Sequence, residues 1–159
     1  MIAQALADRN LPPAALAIEI TEHMFLGSTT RAQIVLTRLR RNGIRIAIDD
    51  FGSGYATLSY LRDLPVDEVK FDRAFIAPLL TDPRAASVVR AMIALAHDLG
   101  LAAVAEGIEN AQTAALLRDY GCDIGQGFHF SAPLTSADLL SFLAYGAATE
   151  PASAAARSS

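Results

Sequence analysis

Five short apolar runs recur along the chain: Leu16–Ile20, Ile44–Ile48, Glu68–Phe71, Leu101–Ala105 and Ile124–Phe130. Their length and β-rich composition predict strands. Helical patterns fill the intervals. Asp82 followed by Pro83 reads as an N-cap with proline at the first helical position. After it Val88, Val89, Met92, Ala96 and Leu99 recur near helical spacing, and Gly100 supplies a C-terminal stop. Arg38, Arg40 and Arg41 close an earlier helix, where cations suit the helix dipole, and Gly43 follows. Asn110 caps a helix that stops at Gly121, and Thr135 with Asp138 resembles a capping box that opens the last helix.

Strand and helix in alternation predict a parallel sheet with right-handed crossovers. The polar residues choose between the two architectures that fit. Almost every run ends in ionisable or amide groups: Glu19 with Glu22, Asp49 with Asp50, Lys70 with Asp72, Glu106 with Glu109, and then Gln126. A barrel mouth collects such groups from the C-terminal ends of many strands. An open doubly wound sheet gathers them near one switch point. The expected fold is therefore α/β, a (β/α)8 TIM-like barrel represented by roughly its last five strands.

Composition narrows the partners. The 159 residues suffice for a sizeable core, and 52% are hydrophobic against 19% charged. The formal net charge of -4 offers no basic surface for a nucleic-acid polymer. An acidic chain still binds a phosphate ligand when metal ions supply the positive charge. The single cysteine, Cys122, cannot form an internal disulfide, which fits a reducing, cytoplasmic location. Met1 to Gln4 lacks the basic region of a signal peptide. The longest apolar candidate for a membrane segment, Ala91 to Leu101, is interrupted by His97, Asp98 and Gly100. Residues 147–159, rich in Ala and Ser and without periodicity, are expected to be a disordered tail behind a domain over 1–146.

The acidic pairs suggest the chemistry. Asp49 and Asp50 sit side by side at a strand end, where repulsion and desolvation require compensation. Two readings stand. Divalent cations compensate, with one carboxylate between two metals and the other on the second; hard oxygen ligands suit Mg²⁺ or Mn²⁺. Otherwise one aspartate caps a helix and its neighbour is solvated. Lys70 and Asp72 alternate along one strand, so they are expected to share a face. Lys70 then either meets anionic neighbours or a phosphate in the barrel mouth, or lies exposed on an edge. Glu106 reads as a general base, a metal ligand or a capping carboxylate. His23, His97 and His129 show no metal-ligand spacing and are expected to be structural or exposed.

Taken in order, Glu19-Ile20-Thr21-Glu22, Asp49-Asp50-Phe51-Gly52-Ser53-Gly54-Tyr55, Lys70-Phe71-Asp72, Ala105-Glu106-Gly107-Ile108-Glu109 and Gln126-Gly127-Phe128 closely resemble the EAL family. These are phosphodiesterases that linearise cyclic di-GMP to pGpG. The resemblance runs from about Leu6 to Leu143. It implies a (β/α)8-like barrel with one antiparallel strand and a site for two Mg²⁺ or Mn²⁺ ions. Carried over motif by motif, Glu19 would ligate the first metal, Asp49 would bridge both and Asp50 would bind the second. Lys70 would orient the attacking water, and Glu106 would be the general base or a water-mediated metal contact. Glu22 would steady the loop after Phe51, with Asp72, Glu109 and Gln126 supporting the site. The implied partners are cyclic di-GMP and, in a longer protein, a second copy or N-terminal sensory domains.

The departures are specific. The Glu-Ala-Leu segment and the strand with a metal-binding asparagine are absent and are expected to precede Met1. Ser53, Ala56 and Thr57 vary the family's loop mildly. Asn110 stands in place of threonine and Ala132 in place of arginine.

Overall fold

The computed structural model of the chain describes residues 2–21, 29–52 and 58–149. Five strands, β1 (Ala17–Thr21), β2 (Arg45–Phe51), β3 (Glu68–Phe71), β4 (Ala102–Ala105) and β5 (Ile124–Gly125), alternate with helices. Helix α1 (Ile2–Ala7) precedes β1. Helix α2 (Thr29–Arg41) follows it, then α3 (Leu58–Asp63), α4 (Arg73–Ile76), α5 (Pro83–Asp98), α6 (Ala111–Asp119) and α7 (Ser136–Thr149). All strand pairings are parallel, and the sheet order is β1-β2-β3-β4-β5. No reversal interrupts that order, so among the described residues there is no switch point of the doubly wound kind. Right-handed crossovers that all step the same way place the helices on one face, which is the barrel arrangement.

Alternation along the strands separates the two faces of the sheet. Ile20, Ile46, Ile48, Val69, Phe71 and Ala105 point one way and join Leu36, Val89, Ile93 and Leu117 of the helices in the core. Each such Ile, Leu, Val or Phe side chain, fully buried, contributes about 1.5–3 kcal/mol. Position parity sends Glu19, Arg45, Asp49, Glu68 and Lys70 the other way. Low on this second face Arg45 pairs with Glu68 at 3.1 Å. The sheet is therefore apolar toward its helices and ionic toward the barrel interior.

The local signals for the helices hold in detail. Asp82 caps α5 by accepting from Arg84 N at 2.8 Å, and Asn110 caps α6 by accepting from Thr113 N. Thr135 Oγ1 accepts from the Asp138 amide, the N-cap half of the expected capping box, and donates to the Asp138 carboxylate. Three expectations change. The β5 run ends at Gly125, because Gln126 and the residues after it turn to pair with Ile108 rather than extend the strand. Asp72 lies beyond β3 and caps α4 through Ala74 N, so it does not share the strand face of Lys70. Helix α7 runs to Thr149, through the first three residues of the expected tail. Residues from 150 onward, Glu22, His23 and the Ser53–Tyr55 loop lie outside the described residues.

The N-terminal ends of the strands carry a repeated carboxylate clamp. Asp67, just before β3, accepts from Ile46 N of β2 at 3.0 Å and from Arg40 of α2 at 2.7 Å. Asp123, just before β5, accepts from Ala103 N of β4 at 2.7 Å and hydrogen-bonds His97 of α5 at 2.8 Å. Each ties a strand to the next strand and to the preceding helix. Desolvation, the largest influence on Asp123, acts to raise its carboxyl pKa. The Ala103 amide and the His97 ring outweigh it and hold that pKa below the ordinary range.

A carboxyl depressed on folding stabilises the fold above its unfolded pKa, and the contribution disappears as pH falls through the folded value. Asp123→Ala is therefore expected to cost about 1 kcal/mol at pH 7, a figure kept low because the group is half exposed. In urea titrations the difference from the parent chain should vanish toward pH 2–3, below the ordinary aspartate range. A gap that persists undiminished in acid would assign the effect to packing instead.

Candidate active site

The site begins with an irregularity in β2. The register of β2 against β3 shifts between Ile48 and Phe51, and Asp50 adopts φ 53°, in the left-handed region. In a regular strand Asp49 and Asp50 would point to opposite faces. The bulge breaks that alternation. It lets one carboxylate oxygen from each of Asp49, Asp50 and Glu106 lie within 4.8 Å of one another. A left-handed aspartate is costly by about 1 kcal/mol or more, a cost typical of residues held for function.

Lys70 sits among these acids. Its side chain is only 7% exposed, and Nζ lies 2.8 Å from Glu19, 3.1 Å from Asp49 and 2.7 Å from Glu106. Three strand ends thus meet at one ammonium. Desolvation by burial, the largest influence, acts to lower the pKa of Lys70. The carboxylates of Glu106, Glu19 and Asp49 more than offset it and raise the pKa well above the lysine range. The charge is fixed as cationic at any physiological pH.

Glu106 stands at the C-terminal end of β4, its amide bonded to Phe71 O at 3.1 Å. The turn after it is tightly held. Ile108 N donates to Gln126 O at 3.0 Å, and His129 N donates to Ile108 O. Gly127 must be glycine, because a Cβ there would overlap the Ile108 backbone. Glu109 pairs with Arg73 at 2.6 Å. A cleft of about 260 Å³ opens beside Glu106, lined by Arg73, Glu109, Gln126, Gly127 and Phe128.

The acids fit a divalent cation. Asp49 Oδ1 is buried, and its described partner is the Lys70 ammonium at 3.1 Å, an ion pair whose geometry falls short of an aligned hydrogen bond. A buried carboxylate oxygen held in this way keeps lone-pair capacity for a cation. Hard carboxylate oxygens from Asp49, Asp50 and Glu106 suit Mg²⁺ or Mn²⁺. Glu19 is placed against Lys70, outside that group of three. Of the residues singled out from the sequence, Glu19, Asp49, Asp50, Lys70 and Glu106 converge. Gln126 and Glu109 border the adjoining cleft, and Asp72 is occupied as a helix cap. Arg73 and Phe128 were missed as cleft residues. An exposed arginine after a capping aspartate, and one phenylalanine in a glycine-rich turn, carry no periodic or spacing signal.

Comparison with known proteins agrees with this geometry. The family model described as EAL domain matches residues 1–133. Cyclic di-GMP phosphodiesterase NbdA of Pseudomonas aeruginosa is 41% identical over 142 residues, covering 89% of this chain and 18% of that protein. The EAL domain of DcpA from Mycobacterium smegmatis superposes with a TM-score of 0.86 at 41% identity, over 91% of this chain and 65% of that one. BlrP1 of Klebsiella pneumoniae, solved with manganese and cyclic di-GMP, has a TM-score of 0.77 at 32% identity, over 83% of this chain and 34% of that one. The chain spans about a fifth of the length of most curated relatives it matches. The sequential parallel sheet, the acids gathered at its C-terminal end and the matched family model place this chain in the EAL domain family.

Proposed function

We propose that the chain carries a major part of a site that hydrolyses cyclic di-GMP to pGpG with two divalent cations. The observation that supports it most is the convergence of Asp49, Asp50 and Glu106 around a lysine held cationic. Asp49, Asp50 and Glu19 are assigned to hold the cations, which when bound would lower the pKa of water and neutralise developing phosphate charge. Lys70 orients the attacking water and stabilises negative charge on the phosphoryl oxygens. Glu106, with an oxygen within 4.8 Å of those of Asp49 and Asp50, adds to the hold on the cations and takes the water's proton as the new P–O bond forms and the ribose 3′-oxygen leaves, taking up a proton from solvent. Asp72, Glu109 and Gln126 support this arrangement, and Glu22 steadies the loop after Phe51. The complete activity is proposed for a polypeptide of full EAL length, since this chain spans 65% of the DcpA domain. Alone, its turnover is expected to fall well below ~1 s⁻¹.

Calorimetric titration tests the reading directly. Mn²⁺ should bind the chain and promote binding of cyclic di-GMP. Asp49→Asn should weaken Mn²⁺ at least ~10-fold, and Glu106→Gln should lose turnover while sparing more nucleotide affinity, both assayed in a domain of full length. Nucleotide binding without pGpG release in that full-length domain would favour a binding module over an enzyme. A chain indifferent to Mn²⁺ would sink the metal assignment.

Removing the ammonium tests the charge balance. Lys70→Met should destabilise the chain in chelator by about 2 kcal/mol, because carboxylates from three strand ends then face one another unneutralised. Added Mn²⁺ should narrow the gap to the parent in urea melts. An identical deficit with and without Mn²⁺ would mean that the lysine acts through packing alone.

A further inference from the structure

The turn that carries Glu106 is pinned at two amides, with a left-handed glycine between them. Glu106 N is bonded to Phe71 O and Ile108 N to Gln126 O, and Ile108 is fully buried. Between them Gly107 has φ 68° and no side chain of its own to hold it. What lies against Gly107 is Arg73. A Cβ at position 107 would overlap Cβ and Cγ of Arg73, so the arginine's aliphatic stem crosses the glycine in close contact. Its guanidinium then reaches the far side of the turn, 2.6 Å from Glu109. Arg73 itself is fixed as the first residue of α4 by the Asp72 cap. The arginine therefore spans the turn from its glycine to its end.

We propose that Arg73 is a positioning residue: its stem across Gly107 and its ion pair with Glu109 hold the turn that aims Glu106 at Lys70 and the aspartates. The chemical consequence rests on the function proposed above; the mechanical one does not. The plain alternative is a surface ion pair. Both side chains are more than half exposed, and such pairs add little to global stability. The two readings therefore differ in where an effect appears. A surface pair changes nothing locally, and a general structural role would loosen the whole sheet. A positioning role loosens the turn alone and passes that looseness to the metal.

The experiment uses the chain as it stands. In chelator, Arg73→Ala should raise hydrogen exchange at the Glu106 and Ile108 amides ~10-fold and leave β2 unchanged, with the melting temperature shifted by no more than ~2 °C. Mn²⁺ affinity should fall ~10-fold, as when a group supporting a ligand is lost. Arg73→Lys keeps a stem and a charge and should restore most of both. Arg73→Met keeps the stem alone and should fall between. Unchanged exchange in Arg73→Ala, or a rise spread evenly over the sheet, would overturn the proposal. So would local loosening with Mn²⁺ affinity intact, since the turn would then not govern Glu106. A parent chain that binds no Mn²⁺ refutes the proposed function, and the exchange measurement in chelator still decides the role of Arg73.

Discussion

One ammonium holds the acidic end of this molecule together. Lys70 lies within 3.1 Å of carboxylates from β1, β2 and the end of β4, and it is almost entirely shielded from water. Without it, acids from three separate strands would repel one another across a confined space. With it, they can be gathered before any ligand arrives. The lysine also explains why a partly ionic sheet face is tolerable. Lower on the same face Arg45 and Glu68 neutralise each other, so charge balance extends along the interior rather than being confined to its rim.

The scaffold delivers those acids through two departures from regular structure. One is the bulge in β2, which turns neighbouring aspartates toward a common point. The other is the turn after β4, threaded between Gln126 and Arg73 so that Glu106 faces inward. Both occur at C-terminal strand ends. The N-terminal ends are tied by Asp67 and Asp123, which make ordinary stabilising bonds and touch none of the acids. Stability and chemistry are thereby assigned to opposite ends of the same sheet, as barrels generally arrange them.

Much of this was legible in the sequence, for physical reasons. Apolar runs facing a helical layer must be apolar at alternate positions, so the strands from β1 to β4 announced themselves. Asp82, Asn110 and Thr135 cap helices because short polar side chains satisfy free amides, and that chemistry is local. Lys70 and the acids were visible because charged groups seldom end buried strands without cause. Other features depend on contacts distant in sequence. The same strand end hid its bulge, since nothing in Asp49-Asp50 announces a left-handed residue. Asp72 obeyed its neighbour Ala74 rather than the strand parity that linked it to Lys70. Gln126 was placed in a strand because the pairing of Gln126 and His129 with the Ile108 backbone involves residues far apart along the chain. His97 is structural, as expected, but its partner Asp123, 26 residues away, could not be read from the sequence.

The left-handed aspartate has a consequence for anyone who would improve this protein. Glycine at position 50 would relieve the backbone penalty and remove one negative charge from a crowded group. A selection for heat resistance, blind to chemistry, would thus be rewarded for dismantling the proposed cation site first. Thermostabilised variants of such a domain should be sequenced at this codon before they are trusted, because resilience gained there trades directly against the proposed reaction.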